Sequence, residues 1–371
     1  MSIERRPIDY PLLVVALLLM AIGMLMVYSA SAIYAQDLYK DSYYFLKKEI
    51  VFMAAGLVLM FSVKSLNYHV FYKAAYPLLG VTVLLLLITF IPGIGHRAGG
   101  AQRWIGIGGL TLQPSELAKL TVIVFMAYTM AKKKEKMKNF KIGFLPAVGI
   151  VGFISLLVLA QKDLGTTFVI CMVSFIMFFI GGTRFSYLAA GIVAAIPALY
   201  FLIFSVDYRR KRILAFLDPW EHKMDEGFQI IQSYVAFNSG GLTGAGLGQG
   251  KQKLFYLPAA HTDFIFSVVG EELGLIGVFF VLGLFIFLLV RGIKIATRAP
   301  DLFGCYLAVG ITSMITAQAL INFAVVMGLL PTKGLPLPFI SHGGTSLLVI
   351  CILIGILLNI SSQTQKDYSH D

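Results

Sequence analysis

Apolar residues in this chain come in long runs, not in the strict alternation of a strand or the narrow stripe of a surface helix, and short polar segments part them. Ten runs approach the roughly 20 residues that a membrane-crossing helix needs. They cover 11–33, 50–66, 74–94, 116–131, 143–160, 165–182, 187–206, 264–293, 303–330 and 341–360. The fifth and sixth are parted only by the turn 161–164. Read as one helix, they would bury Lys162 and Asp163 at mid-membrane, which is costly, so the pattern predicts a break there. The expectation is an all-α integral membrane protein with about ten transmembrane helices. Residues 1–371 form a single polytopic domain, with one large outer loop, 207–263, between the seventh and eighth helices.

Composition supports this picture. Of 371 residues, 58% are hydrophobic and 13% charged, with a mean hydropathy of +0.83. A soluble domain carries about 25% charged residues. The net charge of +11 raises the question of nucleic acid, but the Lys and Arg residues lie in loops beside apolar runs and read as topology determinants, so no nucleic acid is expected. With the N-terminus inside, the inner segments hold fifteen cations, including Arg5, Arg6, Lys366 and the run 132–141, against eight in the short outer loops. Both termini are therefore expected in the cytoplasm. Cys171, Cys305 and Cys351 lie within apolar runs without CxxC spacing, which reads as small buried hydrophobes rather than a disulfide frame or zinc site. The first run is too long for a signal-peptide core and lacks a small-residue cleavage pattern.

The unusual polar residues gather in the outer segments. Gly99-Gly100-Ala101-Gln102-Arg103-Trp104 leads to Gln113-Pro114-Ser115-Glu116-Leu117-Ala118-Lys119, a helix start in which Glu116 and Lys119 can pair at i,i+3. That pair reads as a structural ion pair or as part of a polar site; Arg103 reads as an interface anchor or a phosphate ligand. Asp163 sits at a hairpin tip, either solvated or functional. Tyr208 precedes four consecutive cations, Arg209 to Arg212, which suit either a polyanionic headgroup or anionic lipid in general. The glycine run 240–250 fails the Walker A spacing at Ala245 and Gln252 and reads as a flexible outer loop.

Asp263, in His261-Thr262-Asp263-Phe264, stands where the long loop enters an apolar run. A partly desolvated carboxylate there makes a better base, although Asp is also a good helix cap. Glu271 lies about 80° round a helix from Asp263 and can share its cavity. Glu271 and Glu272 equally suit a structural network. The stretch 330–345, rich in Pro and Gly, reads as a re-entrant segment lining a cavity, with Ser341 and His342 in it. His342 reads as hydrogen-bonded or as a proton carrier.

Together these segments resemble the SEDS (shape, elongation, division and sporulation) family. The resemblance rests on Gln-Pro-Ser-Glu-Leu-Ala-Lys, Asp-Leu-Gly-Thr, Tyr-Arg-x-x-Arg-Ile, Gly-Phe-Gln-Ile-Ile-Gln-Ser, His-Thr-Asp-Phe-Ile-Phe, Gly-Glu-Glu-Leu-Gly and Ser-x-Gly-Gly-Thr-Ser, which occur in the family's order over nearly the whole chain. Leu-Pro-Ala-Ala-His-Thr-Asp and Leu-Leu-Pro-Thr-Lys-Gly are closer to its division branch than to its elongation branch, with the sporulation members also near. The resemblance implies an inverting peptidoglycan glycosyltransferase that polymerises lipid II at the outer face of the bacterial cytoplasmic membrane, at the division septum. It implies Asp263 as the essential carboxylate, with Arg103, Asp163, Glu116, Lys119, Arg209 and Arg212 at the outer cavity. It also implies a growing glycan strand held through undecaprenyl pyrophosphate, a class B penicillin-binding protein as transpeptidase partner, other divisome proteins, and a divalent cation (Mg or Mn) as a candidate for neutralising the leaving group. Lys162 departs from the family's usual Pro, and His342 from its usual Tyr. A flippase for the lipid-linked precursor, another lipid-linked glycan polymerase or ligase, and a scaffold for the transpeptidase are the competing classes.

Overall fold

Short-range capping chemistry sets where the helices begin. The Asp9 carboxylate accepts from Leu12 N, Asp163 from Thr166 N and Asp301 from Gly304 N, each satisfying a first-turn amide. Pro11 and Pro114 sit in the first turns of their helices, where a missing N–H costs nothing. The computed structural model describes residues 7–93, 95–98, 101–107, 110–253, 257–258 and 260–363. Arg5, Arg6, Lys366, Gly99, Gly100, Tyr256 and Ala259 from the sequence reading lie outside the described residues.

Twelve α-helices are described: α1 Tyr10–Tyr39, α2 Tyr44–Ser65, α3 His69–Ile88, α4 Pro114–Lys133, α5 Leu145–Ala160, α6 Leu164–Ile180, α7 Phe185–Phe204, α8 Asp207–Leu217, α9 Phe228–Gly240, α10 Ile265–Thr297, α11 Leu302–Val326 and α12 Gly344–Ser362. Helices occupy each of the ten expected runs. Among the described residues seven helices are long and apolar enough to cross a membrane. The other three runs hold α2 and α4, which carry charges, and α6, which has 17 residues. Helices α8 and α9 fall within the long loop. Segment 95–112 adds a small antiparallel sheet in the order β1 Gly95–Ala98, β2 Ala101–Ile107, β3 Leu110–Leu112, which the helical reading did not foresee.

Helices α4, α11 and α12 form the buried centre; α12 packs against α2, and α11 against α4, α6 and α10. Helix α7 stands almost wholly exposed at the edge. Because the helices alternate in direction, the Asp9 and Asp301 caps lie at one end. At the other, the site end, meet the α1–α2 turn, the sheet, the α5–α6 turn, the long loop and the α11–α12 loop.

Helix α10 is broken at Gly274 (φ 63°, ψ −164°). The break frees the carbonyls of Glu271 and Glu272 and the amides of Leu275 and Ile276, and the glycine run takes all four. Ala245 N and Gly246 N donate to Glu271 O and Glu272 O, at 2.9 and 3.1 Å. Leu275 N and Ile276 N donate to Gly241 O and Leu242 O, at 3.0 and 3.2 Å. Backbone approaches backbone so closely that a side chain at Gly274 would strike Gly244 and Leu242. Freed backbone groups in an apolar setting must find partners. The expectation of a flexible loop at 240–250 is therefore corrected: this stretch is spliced into a helix. Helix α9 docks beside it, with Ser233 hydroxyl-bonded to Ser267 at 2.8 Å.

Candidate functional site

Asp263 lies one residue ahead of α10, where the long loop meets the α11–α12 loop. Among the described residues no donor hydrogen-bonds its carboxylate. Burial pushes that carboxyl up from its ordinary value of 3.8 to about 6; Arg103 and then Arg212 pull it back, and Asp163 adds to the rise. A Cβ placed on Gly334 would come within 3.2 Å of Asp263 Oδ2, so the bare backbone there leaves the carboxylate its space.

The two arginines reach the site from different elements. Arg103, on β2, places Nη1 3.6 Å from Asp163 Oδ1. Arg212, on α8, stacks 4.3 Å over Tyr208, donates from Nη1 to Thr332 O at 3.1 Å, and holds Nε 3.5 Å from Glu226. Nε of both guanidinium groups is buried without a hydrogen-bond partner. Two cations, each with a buried donor not used in a hydrogen bond and both acting electrostatically on a free carboxylate, are the chemistry that suits an anion and a proton together.

The neighbouring charges are spent on structure. Asp163 is 2% exposed and accepts from Thr166 N, Thr166 Oγ1, Ser115 Oγ and Gln113 Nε2. Glu116 and Lys119 pair at 2.9 Å inside the bundle. Lys119 goes on to Gln318 Oε1 at 2.7 Å, and Gln318 Nε2 binds Pro336 O at 2.8 Å, so the ion pair braces the α11–α12 loop. Ser341 Oγ donates to Thr262 O at 2.6 Å, and Asn322 Nδ2 to Asp263 O at 2.8 Å. The structure thus brings Asp263, Arg103, Arg212, Asp163 and Ser341 together.

Two expected members are directed elsewhere. Arg209 donates to Leu202 O at 2.8 Å, capping the end of α7, because it stands in the first turn of α8, next to that helix. Glu271 does not join Asp263. It accepts from Lys251 N at 2.7 Å and from Gln252 N. Glu272 takes Ser29 Oγ at 2.7 Å, Gly248 N at 3.0 Å and Lys253 Nζ at 2.8 Å. Residues the sequence reading passed over are Asn322, Gln318 and Glu49. Asn322 and Gln318 are amides inside an apolar run and Glu49 an acid at the edge of one, a cost that itself signals a partner. Glu49 Oε2 lies 2.6 Å from His342 Nδ1.

Among the described residues no group of three His, Cys, Asp or Glu side chains is placed to hold a metal ion. With the oxygens of Asp163 taken, Asp263 is left as the free carboxylate among the described residues gathered here, too few for a cage of its own.

A family model of the FtsW, RodA and SpoVE proteins, described as "Cell cycle protein", matches residues 10–366. The chain is 50% identical over 362 residues to "Probable peptidoglycan glycosyltransferase FtsW" of Geobacter sulfurreducens, covering 98% of this chain and 96% of that one. It is 43% identical over 361 residues to "Stage V sporulation protein E" of Bacillus subtilis, covering 97% and 99%. Among solved structures, a chain described under "Structural coordination of polymerization and crosslinking by a peptidoglycan synthase complex" superposes with a TM-score of 0.78 at 30% identity, covering 97% of this chain and 99% of that one. Rod shape determining protein RodA of Thermus thermophilus superposes with a TM-score of 0.69 at 27% identity, covering 97% and 98%.

Proposed function

The chain belongs to the FtsW, RodA and SpoVE family of multi-pass membrane proteins, and on that premise we propose that it is a peptidoglycan glycosyltransferase that polymerises lipid II, with Asp263 as general base. The observation that carries the reading is the free carboxylate of Asp263 within electrostatic reach of two arginines, each with a buried Nε that has no hydrogen-bond partner. A base is most useful with a pKa near the working pH, and burial moves Asp263 in that direction.

In this reading, Asp263 takes the proton of the acceptor sugar hydroxyl. The oxygen attacks the donor anomeric carbon from the face opposite the diphosphate, and configuration inverts. Diphosphate leaves without an acid to protonate it; it needs its charge met, and Arg103 and Arg212 meet it. A divalent cation arriving with the diphosphate would add to that charge. Arg209 has no part here, being committed to α7.

The motifs around Asp263 favour the division branch, hence a place at the septum, and the Lys and Arg bias of the short loops favours both termini in the cytoplasm. The relative within a peptidoglycan synthase complex supports a crosslinking partner, a class B penicillin-binding protein. A flippase would use Glu271 and Glu272 to line a polar path, and both are consumed by the glycine splice. The test is polymerisation of purified lipid II by the reconstituted protein, with and without that partner, comparing wild type with Asp263→Asn. Glycan chains from wild type alone support the reading. Chains from both proteins remove Asp263 from the mechanism, and chains from neither, with partner present and fold intact, remove the polymerase.

A further inference from the structure

Asp263 stands on irregular backbone, yet a base must be held within about half an ångström of its productive position. Three consecutive carbonyls show what holds it. Asp263 O accepts from Asn322 Nδ2 at 2.8 Å, Thr262 O from Ser341 Oγ at 2.6 Å, and His261 O from His342 N at 3.0 Å. Two of these three grips come from Ser341 and His342, adjacent residues of the α11–α12 loop, so the position of Asp263 follows the position of that pair.

His342 is itself anchored from outside the loop. Its Nδ1 lies 2.6 Å from Oε2 of Glu49, an acid on α2 that is only 4% exposed. Phe45, one turn earlier on α2, packs edge-on to the His342 ring at 5.2 Å and against the His261 ring at 4.8 Å. Tyr34, from α1, stacks on the other imidazole, His261, at 5.5 Å. The α1–α2 hairpin therefore clamps both histidines. Burial and the neighbouring His342 push His261 down to about 4, so His261 is neutral near pH 7, and His342 is the ring that meets the Glu49 carboxyl. Lys48, next to Glu49, is turned away onto the Tyr44 hydroxyl at 2.8 Å.

We propose that Glu49 and His342 are a positioning pair for Asp263, transmitting the placement of α2 through the backbone of His342 to the carbonyl of His261 and so to the base two residues on. The inference rests on the role given to Asp263 above. The alternative is an ion pair that merely ties α2 to the bundle. The two differ in what removing the pair does. A tie lost lowers stability alone; a positioning element lost slows the chemical step and leaves substrate affinity in place.

The test uses the full-length reconstituted protein and its partner, with Glu49→Gln, His342→Phe and the double variant. His342→Phe keeps a ring against Phe45 and keeps the backbone N–H. The expected result is kcat lowered about tenfold in each single variant, KM for lipid II within about twofold, and a double variant no slower than either, since one linkage is being cut twice. Unchanged kcat in the singles, or multiplicative losses in the double, would overturn the proposal. A second readout needs no turnover: the pH midpoint at which Asp263 reacts with a carbodiimide, followed by peptide mass spectrometry. Loosening the clamp lets water reach the carboxylate, so the midpoint should fall from about 6 toward 3.8 in the variants. An unmoved midpoint overturns positioning. A wild type that makes no glycan, with the midpoint shift present, overturns the polymerase reading and leaves the pair.

Discussion

Two sets of carboxylates stand about two helical turns apart at the head of α10 and meet opposite fates. Glu271 and Glu272 are buried and saturated: backbone amides of Gly248, Lys251 and Gln252, the Ser29 hydroxyl and the Lys253 ammonium fill their lone pairs. Asp263 keeps its lone pairs, feels two arginines at a distance, and carries a raised pKa. A buried acid with every acceptor filled is mortar, and removing it strands the donors that it satisfied. A desolvated acid with none filled is held in readiness for a proton. On the role proposed for Asp263, saturation, more than burial, separates architecture from chemistry at this end of the molecule.

The largest break in that comparison is kinetic. Asp263→Asn is expected to lower polymerisation about 10³-fold, the size of effect a lost general base produces, while lipid II still binds. Glu271→Gln, measured per folded molecule, should stay within about threefold. Equal losses would erase the distinction. Next comes the backbone. Gly274→Ala forces a side chain onto a left-handed residue and into the Gly244 backbone, at about 3 kcal/mol or more. Fluorescence-detected size exclusion should show loss of folded protein, while Gly283→Ala, which meets open space, should behave as wild type. A third contrast separates the arginines. Arg212→Gln should lower kcat/KM about 10- to 100-fold through the lost charge at the leaving group. Arg209→Gln should cost no more than about twofold, because its side chain serves Leu202.

Much of this was legible in the sequence, for identifiable reasons. The helices were plain because a bilayer demands long apolar runs and tolerates few charges, and Lys162-Asp163 broke the long run between α5 and α6 as expected. Asp263 was legible from its place, a carboxylate at the mouth of an apolar run. What stayed hidden depended on partners far along the chain. The glycine run carries no pattern that announces a splice; its meaning lies in Gly274, some thirty residues later, whose break leaves four backbone groups to be met. Residues 101–107 alternate weakly enough to pass as loop, although they form the strand that carries Arg103. Arg209 and Arg212 look alike in a run of four cations, and only the tertiary structure shows that the first meets the end of α7 at Leu202 and the second, a turn later, the α11–α12 loop at Thr332. Glu49 sits ahead of the apolar run at 50–66 and drew no notice, yet α2 begins at Tyr44 and takes it inside.

The smallest predicted effect tests the same contrast from the side of stability. The folded protein holds the Asp263 carboxyl at about 6, above its ordinary value of 3.8. Between those two pH values the folded chain binds a proton that the unfolded chain has released, so folding stability falls as pH rises. Below the lower value the cost is absent; above the upper value it is present in full. Asn cannot ionise and escapes it. Asp263→Asn should therefore be more stable than wild type at pH 7.5, by an amount on the order of 1 kcal/mol after allowance for the partial exposure of the site. Thermal unfolding in detergent at a series of pH values should show the two curves converging below about pH 4. A wild type more stable than the variant at pH 7.5, with the gap closing toward acid, would mean that Asp263 is as fully satisfied as Glu271, and the distinction between the two sets of acids would fail.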